Sequence, residues 1–125
     1  MDTLSIILQS KKARVGYARE VVIESATWLK QQFANAKVPY NYADCDRDYC
    51  GFATFQIFSI YHGIPVNLFL KIAEIKSQPY VFADIRVRDG NEVVLFPFFG
   101  EIGSDEGREL ALNYIADYIL SVELD

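Results

Sequence analysis

A chain of 125 residues, 51% of them hydrophobic and with a formal charge of −5, has the size of one domain and enough apolar side chain to build a core without metal or disulfide staples. A pI near 4.8 and basic residues scattered through the sequence argue against a nucleic-acid or anionic-membrane surface, which needs a basic patch or stripe. Two cysteines, Cys45 and Cys50, define neither a disulfide framework nor a four-thiolate zinc site, so the expectation is a single cytoplasmic domain over residues 1–125 carrying two free thiols.

The chain opens on Met1-Asp2-Thr3-Leu4-Ser5-Ile6-Ile7-Leu8, apolar but with an acid where a secretion signal needs positive charge. The run is also far short of the roughly 20 residues that span a bilayer. From about Ala13 to Ala36, Ala18, Val22, Ser25, Leu29, Phe33 and Ala36 recur at three- and four-residue steps, which predicts an amphipathic helix. Val38-Pro39 ends it, because the residue before proline is pushed out of the helical region. Residues 3–9 are either an earlier turn of this helix or a separate piece, with Gly16 as the place for a break. Tyr40 to Gly51 is polar, rich in Asp and without period, and reads as a loop.

Four strands are then expected. Phe52–Tyr61 and Ile64–Ile75 flank His62-Gly63, and Tyr80–Arg88 and Asn91–Phe99 flank Asp89-Gly90; both dipeptides suit tight hairpin turns that need positive φ. Lys76 to Pro79 joins the hairpins, and a four-residue loop there would set Lys71 opposite Asp84. Pro65 and Pro97 lack a ladder donor and belong at an edge or a bulge. Ser104 caps a last helix, with Asp105 and Glu106 in its first turn. Its apolar stripe is Leu112, Ile115, Ile119 and Val122, widened by Ala111, Tyr114 and Tyr118. The fold class is α+β: a four-stranded antiparallel meander in the order α-β-β-β-β-α, with an N-terminal and a C-terminal helix packed on one face.

Candidate chemistry is sparse. Asp44-x-Asp46-x-Asp48 begins like a calcium loop, but Tyr49 and Phe55 stand where Gly and Glu are required. Glu74-Ile75-Lys76 resembles, over three residues, the Glu-x-Lys of restriction-endonuclease-like nucleases, which would imply a metal-holding Glu and a Lys that helps activate water. That family also wants an acid in the preceding strand, and Phe52–Tyr61 has none; the nearest upstream is Asp48. His62, the single histidine, sits in a predicted turn with no orienting partner. No catalytic residue, metal site or cofactor is therefore expected.

The strands Phe52–Tyr61 and Val93–Phe99 are apolar on both alternating sets, where an antiparallel sheet with one wet face would alternate. Tyrosines at strand ends and in loops suit protein contacts. The expected function is a small acidic noncatalytic module that binds a protein partner or itself, as a homodimer, with Tyr61, Phe55, Phe96 and Phe98 as interface residues. In element order and low pI it is similar to small acidic secretion chaperones, though it lacks the helix that those proteins carry within the sheet. A small-molecule-binding domain with an aromatic pocket is the alternative, and the Glu74-x-Lys76 nuclease a further one.

Overall fold

A computed structural model describes residues 2–12, 15–47, 50–88 and 94–124. It shows an α+β fold of three helices and one antiparallel sheet: α1 (Thr3–Lys12), α2 (Val15–Ala36), β1 (Asn41–Arg47), β2 (Cys50–Tyr61), β3 (Ile64–Ile75), β4 (Gln78–Val87), β5 (Val94–Glu101), α3 (Asp105–Ser121) and the two-residue β6 (Glu123–Leu124). Strand order follows the chain from β1 to β5, and β6 pairs with β2.

The expected four strands are thus a correction. The polar stretch expected to be a loop contains β1, whose Asn41–Arg47 pairs antiparallel with Cys50–Gln56 of β2. Alternation was hidden there because β1 turns Tyr42 to the core while Asn41, Ala43 and Asp44 stay exposed. The apolar start of the chain is the helix α1; its junction with α2 falls on residues 13 and 14, outside the described residues.

The helix ends follow local chemistry. The Asp2 carboxylate accepts the Ser5 N–H at 2.7 Å and caps α1, a bond that holds its pKa below the usual value. α2 ends where the Val38 N–H returns to the Phe33 carbonyl and the Lys37 N–H to that of Ala34. Lys37 takes φ 57°, completing a Schellman arrangement. At α3 the Ser104 hydroxyl accepts the Gly107 N–H at 3.1 Å, as a cap expected there should. Gly107 has a reason of its own, since a Cβ would lie 1.9 Å from the Glu101 carbonyl oxygen.

The two described hairpin turns are of one kind, with two residues at positive φ in each. His62-Gly63 takes φ 48° and 82° between paired Tyr61 and Ile64, the expected two-residue turn. The second connection is also only two residues, Lys76-Ser77 at φ 52° and 68°, between paired Ile75 and Gln78. The four-residue loop was therefore wrong, and Lys71 faces Phe82 while Asp84 faces Phe69. Asp84 instead holds Arg86, with Nε to Oδ1 at 2.6 Å. Asp89-Gly90 lies outside the described residues.

Pro97 behaves as expected. β5 is the last strand of the sheet, and its register shifts around Phe96-Pro97, where Ala83 pairs with Phe98 but Ile85 with Leu95. That is a bulge, and Phe96 takes φ 50° within it. Pro65 sits neither at an edge nor at a bulge. It is the second residue of β3, beyond the ladder to β4 that begins at Val66, and it gives only its carbonyl, to the Arg88 N–H.

One alternating set of the strands forms the core. Ala53, Phe55 and Ile57 of β2, Leu68 and Ile72 of β3, and Val81 and Ala83 of β4 are buried together with Val22, Ala26, Leu29 and Phe33 of α2 and Ala111, Ile115 and Tyr118 of α3. Phe33 meets Phe55 edge-on at 5.7 Å, Tyr114 stacks on Phe98 at 4.9 Å, and the Tyr118 hydroxyl donates to Ser59 Oγ at 2.7 Å. Arg108 of α3 lies over the Trp28 ring of α2 at 4.7 Å and donates to the Ile102 carbonyl at 3.0 Å.

Candidate functional site

The other alternating set carries Phe52, Thr54, Gln56 and Phe58 of β2, Asn67, Phe69, Lys71 and Ala73 of β3, and Tyr80, Phe82, Asp84 and Arg86 of β4. Register aligns these into rows across the sheet. Phe52, Ala73, Tyr80 and Glu101 form one row, and Thr54, Lys71, Phe82 and Phe99 the next. Cations lie over several of the rings: Lys71 over Phe52 at 4.4 Å, Arg86 over Phe69 at 4.0 Å and Arg88 over Phe58 at 4.8 Å. A long basic side chain laid this way covers apolar surface while keeping its charge in water.

Among the described residues, no cation lies over the rings at the β4–β5 end. Phe82 and Phe99 touch at 4.8 Å and Tyr80 stacks on Phe99 at 5.1 Å, yet Phe82 keeps 38% and Phe99 56% of its surface exposed. Beside them is a cleft of about 220 Å³ lined by Phe52, Lys71, Ala73, Ile75 and Phe82 with Gly51 and Glu74. It exists because Ala73, a single methyl, occupies the position between larger neighbours.

Of the residues expected at an interface, Tyr61 is 46% exposed and Phe96 73%. Phe98 is half-buried against Tyr114. Phe55 is a correction: it is wholly buried among Phe33, Tyr40 and Tyr42 and presents nothing to a partner. Reading both alternating sets of β2 as alike missed that one is buried in a cluster with residues of α2 and α3, while rings of the other lie under cations. Phe82 was missed as well, since Asp84 and Arg86 follow it in the same alternating set; its signal is the pairing with Phe99.

The residues considered for catalysis stand apart. The Glu74 carboxylate accepts the Ser77 N–H and so braces the Lys76-Ser77 turn. His62 is exposed at its hairpin tip, its ring edge-on to Tyr61 at 4.4 Å. Asp44 is exposed on β1, while the side chains of Cys45, Asp46 and Cys50 and all of Asp48 and Tyr49 lie outside the described residues. Among the described residues no cluster of His, Cys, Asp or Glu could hold a metal ion, and no helix is long and apolar enough to cross a membrane.

Three tyrosines have raised pKa values, Tyr42 through burial and the Asp44 charge, and Tyr114 and Tyr118 on the α3 side. Burial pushes Tyr114 up to about 12, with the Asp84 charge adding to it, and its hydroxyl donates to the Phe96 carbonyl in the bulge. Burial also raises Tyr118, against the lowering effect of its bond with Ser59.

No family model, curated protein or solved structure matches the chain.

Proposed function

We propose that the chain is a small noncatalytic protein-binding module that associates with itself through the sheet face opposite its two long helices. In this reading α2 and α3 both pack over the buried set, and the half-open set is left for a partner. A cytoplasmic location belongs to the same reading. The observation that carries it is the uncovered aromatic cluster Tyr80–Phe82–Phe99. Large apolar side chains left in water forgo roughly 1.5–3 kcal/mol each, and contiguous exposed apolar patches mark interaction sites. Arrangement at the edge supports face contact over strand addition, because Pro97 and the Phe96 bulge interrupt the outer edge of β5. The cleft beside this cluster, at about 220 Å³, falls below the 300–1,000 Å³ typical of small-molecule sites, so we read it as a contact surface rather than a ligand pocket.

A two-fold dimer is the commonest way to bury one such surface, since the same patch serves both chains. Sedimentation equilibrium at micromolar concentration tests this. A species near twice 14.3 kDa is expected for the wild type, and a monomer for the double variant Phe82→Asp, Phe99→Ser with its circular dichroism intact. A wild-type chain that stays monomeric through the micromolar range rejects self-association.

A further inference from the structure

We infer that helix α1 of one copy is the segment that covers the cleft on the sheet of a second copy, in a reciprocal exchange of N-terminal arms; this rests on the self-association proposed above and names what makes it. α1 leaves about half or more of its aliphatic surface open in its own chain. Leu4, Ile6, Ile7 and Leu8 are exposed at 63%, 56%, 45% and 49%. The helix therefore needs a surface to lie on. Leu4, Ile7 and Leu8 fall at positions i, i+3 and i+4 on one face, the spacing with which an amphipathic helix anchors in a groove.

The sheet supplies a matching surface. The cleft around Ala73 has apolar walls in Phe52, Ile75 and Phe82, and its volume suits about two aliphatic side chains at ordinary packing density. α1 does not fill it within its own chain, since Ile75 and Phe82 remain 37% and 38% exposed. Area agrees with exchange. At their exposures Leu4, Ile7 and Leu8 present on the order of 300 Å² per arm, so two arms with the matching surface of two faces reach up to about 1,200 Å², the lower end of a stable interface. A single arm without the reciprocal one would reach only about half of that.

Two variants separate the halves of the contact. Leu4→Glu with Leu8→Glu spoils the arm and leaves the face; Ala73→Glu with Phe82→Asp spoils the face and leaves the arm. Each alone, folded by circular dichroism, should sediment as a monomer and dimerise at least tenfold more weakly than wild type. The decisive step mixes them: ¹⁵N-labelled arm variant, whose face is intact, is titrated with unlabelled face variant, whose arm is intact. Amide shifts centred on Phe52, Ala73 and Phe82 are expected, saturating by the millimolar range. If the arm variant still dimerises while the face variant does not, α1 is not the occupant and the sheet-face reading stands. If the face variant still dimerises while the arm variant does not, the contact is arm to arm; if both are monomeric and the titration leaves those amides unmoved, the exchange is wrong. A monomeric wild type removes both readings, and shifts that appear only with anionic phosphatidylserine vesicles would assign α1 to a membrane surface.

Discussion

On one side of the sheet Ala53, Phe55, Ile57, Leu68 and Ile72 have no exposed surface left, whereas on the other Phe82 and Phe99 keep 38% and 56% of theirs. Both sides are rich in aromatic and aliphatic residues, so hydrophobicity does not separate them. What differs is the cover. Phe55 sits among Phe33, Tyr40 and Tyr42, while Phe52, Phe58 and Phe69 lie beneath Lys71, Arg88 and Arg86. A ring shielded by a cation is tolerable in water. The informative rings are those with neither kind of cover among the described residues, and they gather where β4 meets β5.

The sharpest way to break this comparison is to truncate one ring on each side. Phe55→Ala should destabilise by about 3–5 kcal/mol, the usual cost of removing a buried Phe. Phe82→Ala should cost less than about 1 kcal/mol in the monomer, because part of its surface already meets water. Urea midpoints measured at a concentration where both chains are monomeric would give these values. Equal costs would mean that the second face is as closed as the first.

The buried side also carries a polar pair that the other side does not need. Ser59→Ala removes the acceptor of the Tyr118 hydroxyl and should cost about 1–3 kcal/mol, the penalty of a buried donor left without its partner. Tyr118→Phe should cost less, because Ser59 Oγ can still reach the Ile57 carbonyl. The double variant should then be more stable than the sum of the two singles predicts. Additive costs in a double-mutant cycle would show that the two hydroxyls do not act as a unit.

The sequence made the alternation of β2, β3 and β4 legible because side-chain direction repeats every two residues whatever the turn. Register was not legible. Placing four residues rather than two between β3 and β4 moved the partner of Lys71 from Phe82 to Asp84, yet both belong to the same face, so the faces survived the error. The two-residue turn was hidden because Lys76 and Ser77 both take positive φ without glycine. β1 was hidden by its acids, which lie along an edge where water replaces a partner. The candidate surface was half visible: two apolar sets could be read in β2, but which set was buried depended on where α2 and the cations fell.

Alkaline titration probes the β5 end of the comparison. Tyr114 has its pKa raised from 10 to about 12, chiefly by burial. Between those values the unfolded chain has released the proton and the folded chain retains it, so stability present below pH 10 is lost as pH rises towards 12. Urea midpoints should fall through this window, and less steeply in Tyr114→Phe. Because the hydroxyl donates to the Phe96 carbonyl, amide exchange of β5 should speed up over the same range. An identical slope in the variant would mean that other groups carry the loss.

The smallest effect is expected at the turn that sets which rings face each other. Lys76 and Ser77 hold φ 52° and 68°, a conformation that costs most L-residues free energy and glycine little. The Glu74 carboxylate offsets part of this by accepting the Ser77 N–H. Lys76→Asn with Ser77→Gly installs the pair preferred for a two-residue turn of this hand and should stabilise by about 0.5–1 kcal/mol. The opposite change, Gly63→Val in the first hairpin, puts a β-branched residue at φ 82° and should destabilise by at least about 1 kcal/mol. If the Asn-Gly variant is more stable and still dimerises, the turn does no more than fix register, keeping Phe82 opposite Lys71 and beside Phe99. A more stable chain that has lost its dimer would show instead that the turn, through Glu74 and Ile75 at the rim of the cleft, is part of the surface a partner touches.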